Sequence, residues 1–251
     1  MNGQIFWIAS YPKSGNTLVR SILISLFFTE NGLFTLDKSK NIKQFDNTYH
    51  IKRNKDIFEK DYNNLNLIPT LYKYMDKLQS KKALGLEEDF MFLKTHSGMF
   101  KIEENQFTYK NNTRGIIYIV RDPRDISVSW SRHSDISIQK SIDFMTNDTA
   151  VQYWREPNES KDIFNNKNRP RSLISSWEKH VKSWTTLDWD IPILILKFED
   201  LVYEKEKTLK IIINFFEKNY GFKFRKVGEK IKNILKSTDF DKLKNEEEEK
   251  G

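Results

Sequence analysis

Four short apolar runs set the frame for this chain. Residues 5–9, 90–93, 115–120 and 191–197 are rich in β-branched and aromatic side chains, and none of them alternates apolar with polar residues. A strand with one wet face shows that alternation, so these runs predict strands buried on both faces, as in a parallel sheet covered by helices. Helical patterns fall at 17–28, 124–132, 172–186 and 205–218. In the last of these Leu209, Ile212, Ile213 and Phe216 recur at the spacing of one helix face. Strand followed by helix, repeated, predicts an α/β fold of three layers, with a central parallel sheet flanked by helices.

A length of 251 residues suits one such unit, so residues 1–251 are expected to form a single domain. Eighteen Phe, ten Tyr and six Trp supply ample core material. The net charge of +7 is spread over both halves of the chain. It lacks the clustered footprint of a nucleic-acid protein and suits a small anionic ligand at least as well. There is no cysteine, which excludes disulfides, thiolate catalysis and cysteine metal sites. No apolar run is long enough to span a bilayer, and the N-terminus lacks a basic region followed by a long apolar one, so a cytoplasmic protein with no membrane partner is expected.

Residues 31–89 and 134–171 fit the strand–helix scheme poorly, the second carrying Asn165, Asn166, Asn168 and Pro170 near its end. Insertions of this kind are read either as lids and substrate loops, where acceptor recognition would sit, or as plain surface loops. Residues 246–249, all Glu, read as a solvated end.

Three segments carry the chemistry. Tyr11-Pro-Lys-Ser-Gly15, between a strand and a helix, has the composition of an anion pocket made of backbone amides and a helix N-terminus. Gly15 lets the backbone come close to a ligand, and Lys13, Ser14 and Thr17 add a charge and two hydroxyls. The lysine precedes the glycine, which departs from the Walker order and disfavours a nucleotide triphosphatase. Arg121 ends the third run, with Pro123 able to open the next helix; it is read equally as a second anion site or as an ion pair with Asp122 or Asp125. His96, in Lys94-Thr-His96, would emerge at the same sheet edge, where a neutral imidazole can take a proton near neutral pH. No Asp/Glu/His cluster suggests a metal. Trp177, His180, Val181 and Trp184 share one helix face and read as packing, with His180 also a minor candidate for the acceptor pocket; His50 and His133 stay unassigned.

Together the three segments resemble, in order, the motifs of the cytosolic-type sulfotransferases that use 3′-phosphoadenosine 5′-phosphosulfate (PAPS). The likeness runs from about residue 5 to 243, with Tyr11 to Gly15, Lys94 to His96, and Arg121 with Ser129 eight residues on. The resemblance implies that Lys13, Ser14, Gly15, Asn16 and Thr17 hold the 5′-phosphosulfate and that Arg121 and Ser129 hold the 3′-phosphate. It makes His96 the catalytic base, with Lys13 and Lys94 as its catalytic companions and Lys94 close to the sulfonate. It sets Phe198, in Lys-Phe-Glu-Asp-Leu, and Thr238 with Phe240 on the nucleotide as well. PAPS is then a co-substrate, no metal is needed, and the acceptor is a small hydroxyl or amine compound.

Three departures from the family pattern stand out. Leu18 replaces a usual Trp, Phe198 replaces a usual Tyr, and an Arg-Lys-Gly segment expected to close over the 3′-phosphate does not follow Phe240. Either the sequence is cut short, or another basic segment substitutes; Lys223, Arg225, Lys226, Lys230 and Lys232 form one, unless they are a solvated helix face. The rival reading is a P-loop-like nucleotide-binding protein or phosphotransferase. Oligomeric state is open, with a homodimer among the options.

Overall fold

The computed structural model describes residues 3–154 and 169–239. The chain begins with strand β1 (Ile5–Ser10) and helix α1 (Asn16–Phe27), followed by the two-residue strand β2 (Lys43–Gln44) and short helices α2 (Thr48–Arg53), α3 (Ile68–Tyr72), α4 (Met75–Leu78) and α5 (Lys81–Leu84). Strand β3 (Met91–Thr95), a small hairpin of β4 (Lys101–Ile102) and β5 (Asn105–Gln106), and the long strand β6 (Thr113–Val120) come next. Helices α6 (Pro123–Ser134) and α7 (Ile138–Thr146) then lead to a second hairpin, β7 (Val151–Tyr153) with β8 (Arg171–Leu173). Helix α8 (Trp177–Thr185), strand β9 (Ile193–Lys197) and helices α9 (Phe198–Tyr203), α10 (Lys205–Tyr220) and α11 (Val227–Ser237) complete the described chain.

The main sheet has the order β2-β3-β1-β6-β9, and every pair in it is parallel. All four expected strands are therefore in place, with β1 at the centre. The period of two splits its side chains cleanly. Phe6 and Ile8 pack with α1, α10 and α11, while Ile5, Trp7 and Ala9 pack with the 45–84 segment and Trp184 of α8. On the first face Phe6, Phe27, Phe92 and Phe216 meet with ring centroids 4.8–5.8 Å apart. Such pairs add roughly 1 kcal/mol each beyond their buried area.

Residues 31–89 are more than surface loops. They supply the edge strand β2 and bury Phe45, Ile51, Phe58, Leu71, Tyr72 and Met75 against the sheet. Their helices are too short to show a periodic stripe, which is why the sequence reads as irregular. The helix expected over 172–186 starts only at Trp177, because residues 171–173 pair in a hairpin and Ser175 takes a left-handed backbone (φ 64°). Within 134–171, α7 and that hairpin replace the expected loop, and Asn165, Asn166 and Asn168 lie outside the described residues. No helix among the described residues is long and apolar enough to cross a membrane.

The basic run at 223–232, which leads into α11, is corrected in one respect. Lys230 is buried, 6% exposed, and its Nζ donates to the carbonyls of Leu26 at 2.9 Å and Thr29 at 2.7 Å. The last carbonyls of a helix have no intrahelical donor, and a cation there also meets the negative end of the helix dipole. This lysine therefore closes the C-terminal end of α1, about 18 Å from the end that faces the loop at residues 11–15. It is a structural staple and is not available as a phosphate ligand. Lys230→Met keeps the stem and removes the donors, and is expected to lower unfolding free energy by about 2 kcal/mol in denaturant titration.

Candidate active site

The loop after β1 is shaped by two left-handed residues, Lys13 (φ 66°) and Gly15 (φ 92°). The Ser14 amide closes a turn on the Tyr11 carbonyl at 3.3 Å, and Asn16 opens α1. The Asn16 side-chain amide reaches back to the Ile8 carbonyl and to Ser10 Oγ, both at 3.2 Å, fixing the helix start above the strand end. First-turn amides of α1 lack intrahelical acceptors and face the loop, as an anion site requires. A non-glycine residue in the left-handed region costs about 1 kcal/mol. At Lys13 that strain is held by Arg121, whose Nη1 donates to the Lys13 carbonyl at 3.0 Å.

Arg121 follows the end of β6 and lies half-buried with its guanidinium 4.2 Å from the centre of the Phe198 ring. A cation over an aromatic face is stabilised by about 1 kcal/mol or more when partly desolvated. Phe198 opens α9 at the end of β9 and also packs on the loop glycine: a Cβ on Gly15 would stand 2.3 Å from its ring. The ion-pair alternative for Arg121 does not hold among the described residues. Asp122 pairs with Arg124 and caps α6 by accepting from the Arg124 amide at 2.9 Å, while the Asp122 amide donates to Glu199 Oε1 at 3.0 Å. Burial weakens the hold of Arg121 on its proton, opposed by the charges of Asp125, Glu199 and Asp122.

Ser129 lies on α6, about two turns along from Arg121, half-buried and not hydrogen-bonded to it. Thr17 is half-buried in the first turn of α1. Thr238 ends α11; its Oγ1 donates to the Ile234 carbonyl at 2.7 Å and its own carbonyl accepts from Lys205 Nζ. Phe240 lies outside the described residues.

His96 sits just past β3 and is buried. Its Nδ1 is 2.8 Å from the Ser10 carbonyl oxygen and 3.3 Å from Ser10 Oγ. A carbonyl only accepts, so Nδ1 carries the hydrogen and Nε2 holds the lone pair. Nε2 is not engaged among the described residues. Burial, followed by the nearby Lys94 cation, holds the imidazolium pKa well below the usual histidine value, so the ring is neutral. Lys94 Nζ is 3.3 Å from Gln44 Oε1 on the neighbouring strand β2.

The surroundings of His96 hold Asp46, which sequence reasoning does not find, and His180, whose partners it does not show. Asp46, in the Asn- and Lys-rich stretch, accepts from Thr95, the His96 amide and Ser97. His180 Nε2 donates to the His96 carbonyl at 3.0 Å, and its Nδ1 accepts from Tyr118 Oη at 2.9 Å. Both nitrogens are thus committed inside the protein, and burial lowers the His180 pKa to about 4. His180 is packing with a polar function rather than a wall of the acceptor pocket. Asp46 had no signal, being one acid among many; His180 had its helix face, which gave burial but not its partners.

Four polar atoms around the loop are buried without a hydrogen-bond partner among the described residues: Tyr11 Oη, Ser14 Oγ, Asn16 Oδ1 and Arg121 Nε. Each such atom costs about 1–3 kcal/mol until something pairs with it. Among the described residues no cluster of His, Cys, Asp or Glu is grouped to hold a metal ion.

The family model described as sulfotransferase domain matches residues 4–250. The chain belongs to the sulfotransferase domain family. Sulfotransferase 1B1 of dog is 26% identical over 240 residues, covering 94% of this chain and 65% of that protein. Luciferin sulfotransferase of the firefly Photinus pyralis is 25% identical over 250 residues, covering 95% of this chain and 56% of that protein. This sulfotransferase domain thus spans less than two thirds of the length of either relative. Among solved structures, mouse sulfotransferase SULT7A1 complexed with PAP superposes with a TM-score of 0.55 at 17% identity, covering 97% of this chain and 66% of that one. Retinol dehydratase in complex with androsterone and PAP gives 0.56 at 18%, covering 96% and 66%. At this identity the likeness to the solved structures is one of fold, the P-loop-like fold of the sulfotransferases.

Substituting the loop glycine of this sulfotransferase domain tests the packing. Gly15→Ala both strains φ and drives a methyl into Phe198, so unfolding free energy is expected to fall by about 2 kcal/mol or more, read by denaturant titration. An unchanged midpoint contradicts the close approach of Phe198.

Proposed function

We propose that the chain moves the sulfonate of PAPS onto the hydroxyl or amine of a small acceptor, acting as one sulfotransferase domain in the cytoplasm. Family membership supports the reaction class, and both solved structures cited carry PAP, the desulfonated nucleotide. The observation that carries the reading is a single meeting place at the sheet edge. There a strained anion-binding loop, a half-buried arginine and a neutral imidazole with Nε2 uncommitted are joined through Ser10, Lys13 and Phe198.

The residues present fit the nucleotide. Ser14 Oγ and Arg121 Nε are buried and unpaired, and anionic oxygens are the partners they lack. Lys13, Ser14, Gly15, Asn16 and Thr17 would hold the 5′ end, Arg121 and Ser129 the 3′-phosphate, and Phe198, Thr238 and Phe240 the adenosine side. PAPS, when bound, supplies an activated sulfonate. His96 Nε2 takes the proton of the incoming hydroxyl or amine, an action open to a neutral imidazole held as the Nδ1–H tautomer. Lys13 and the loop amides meet the negative charge that grows on the leaving phosphate oxygen, and Lys94 stays beside the transferring group.

Thermal-shift titration with adenosine 3′,5′-bisphosphate against ATP tests the cofactor class. The bisphosphate is expected to stabilise the fold, by about 2.7 kcal/mol at a hundredfold excess over Kd, and to outcompete ATP. A preference for ATP would falsify the reading. His96→Ala should keep bisphosphate binding while turnover on an acceptor panel drops about 10²-fold or more. Because burial holds His96 neutral far into acid, the acid limb of kcat/KM is expected below pH 6.5. A limb at or above that pH contradicts His96 as the base.

A further inference from the structure

We propose that Asp46 is a positioning residue for His96, acting through the peptide backbone and touching neither substrate. The inference rests on the transferase reading above and extends it to a residue of the irregular 31–89 segment. Asp46 is 4% exposed, and its carboxylate accepts from three consecutive residues at the exit of β3. Oδ2 takes Thr95 Oγ1 at 2.7 Å and the His96 amide at 3.1 Å, and Oδ1 takes Ser97 Oγ at 2.9 Å.

Other groups complete the hold. The His96 carbonyl accepts from His180 Nε2, and the Ser97 carbonyl accepts from Trp184 Nε1 at 2.9 Å. With both sides of the His96 residue pinned through its backbone, its ring torsions are left to the Nδ1 contact with Ser10. Moving the backbone by 1 Å would move Nε2 by as much, and misplacements of that size cost about 10²-fold in rate.

A carboxylate is expensive to bury, and no packing reason calls for one here. Desolvation raises the Asp46 pKa, opposed by its three hydrogen bonds and by the Lys94 charge. The same short segment also tends Lys94, since the Phe45 amide donates to its carbonyl at 2.8 Å and Gln44 holds its ammonium. Residues 44–46 therefore order both Lys94 of β3 and His96 just past its end, the two residues there assigned to the chemistry. A merely structural acid would brace the fold without discriminating between binding and turnover.

The experiment compares Asp46→Asn in wild-type and His96→Ala backgrounds, reading bisphosphate Kd by calorimetry and kcat on an acceptor that the wild type turns over. Asp46→Asn is expected to lower kcat about tenfold or more while Kd for the bisphosphate stays within about twofold. In the His96→Ala background the same substitution should leave residual turnover unchanged, because the group it positions is gone. Thr95→Val, which is close to isosteric, removes one donor from the same carboxylate and should give a smaller loss of kcat with Kd again intact; it carries the test if Asp46→Asn does not fold. Unchanged kcat, or an equal loss with and without His96, overturns the inference while leaving the transferase reading in place. A wild-type chain that does not bind the bisphosphate overturns both.

Discussion

Parallel pairing of β1 on both sides is the constraint on which the site depends. In a parallel sheet every strand leaves at the same edge, so segments far apart in sequence arrive together without any contact between them having been specified locally. The register places Ala9 beside Thr95 and Tyr118, which brings Ser10, His96 and Arg121 to neighbouring strand exits. Because β1 is buried on both faces, slipping this register would displace Phe6 and Trp7 from their clusters on opposite sides of the sheet. The alignment of the candidate catalytic groups is therefore enforced by core packing rather than by the site itself.

The groups at that edge are held in tension with the rest of the protein. Lys13 keeps an unfavourable backbone, Arg121 rests on an aromatic ring without a carboxylate partner among the described residues, and Ser14 Oγ and Asn16 Oδ1 are buried and unpaired. The core supplies the stability that tolerates these costs. An environment built this way is already arranged for charge before any ligand arrives, which is how preorganised sites lower the work of reaction.

Legibility in the sequence followed the physics. The strands and the long helices were readable because apolar period is a local property, and the loop at residues 11–15 was readable because its glycine, lysine and hydroxyls are neighbours. What could not be read depends on distance. Asp46 looks like any acid of a polar stretch until β2 pairs with β3, and Lys230 looks like a solvated cation until α11 lies along the end of α1. The sequence around Arg121 is compatible with two roles, and the Phe198 ring with the Lys13 carbonyl decides where its guanidinium sits. Ser175 hid the true start of α8, since a left-handed serine carries no sequence signature.

Lys230 also bears on how the chain is made. The donor for the α1 carbonyls lies 204 residues downstream of Leu26, so on the ribosome α1 is finished long before its end can be closed. Until those later segments are made, the apolar face of α1 that packs with α10 and α11 lacks these partners. Structure of such long sequence separation forms late and slowly. Closing the helix behind the loop at residues 11–15 therefore waits on the last described helix of the chain.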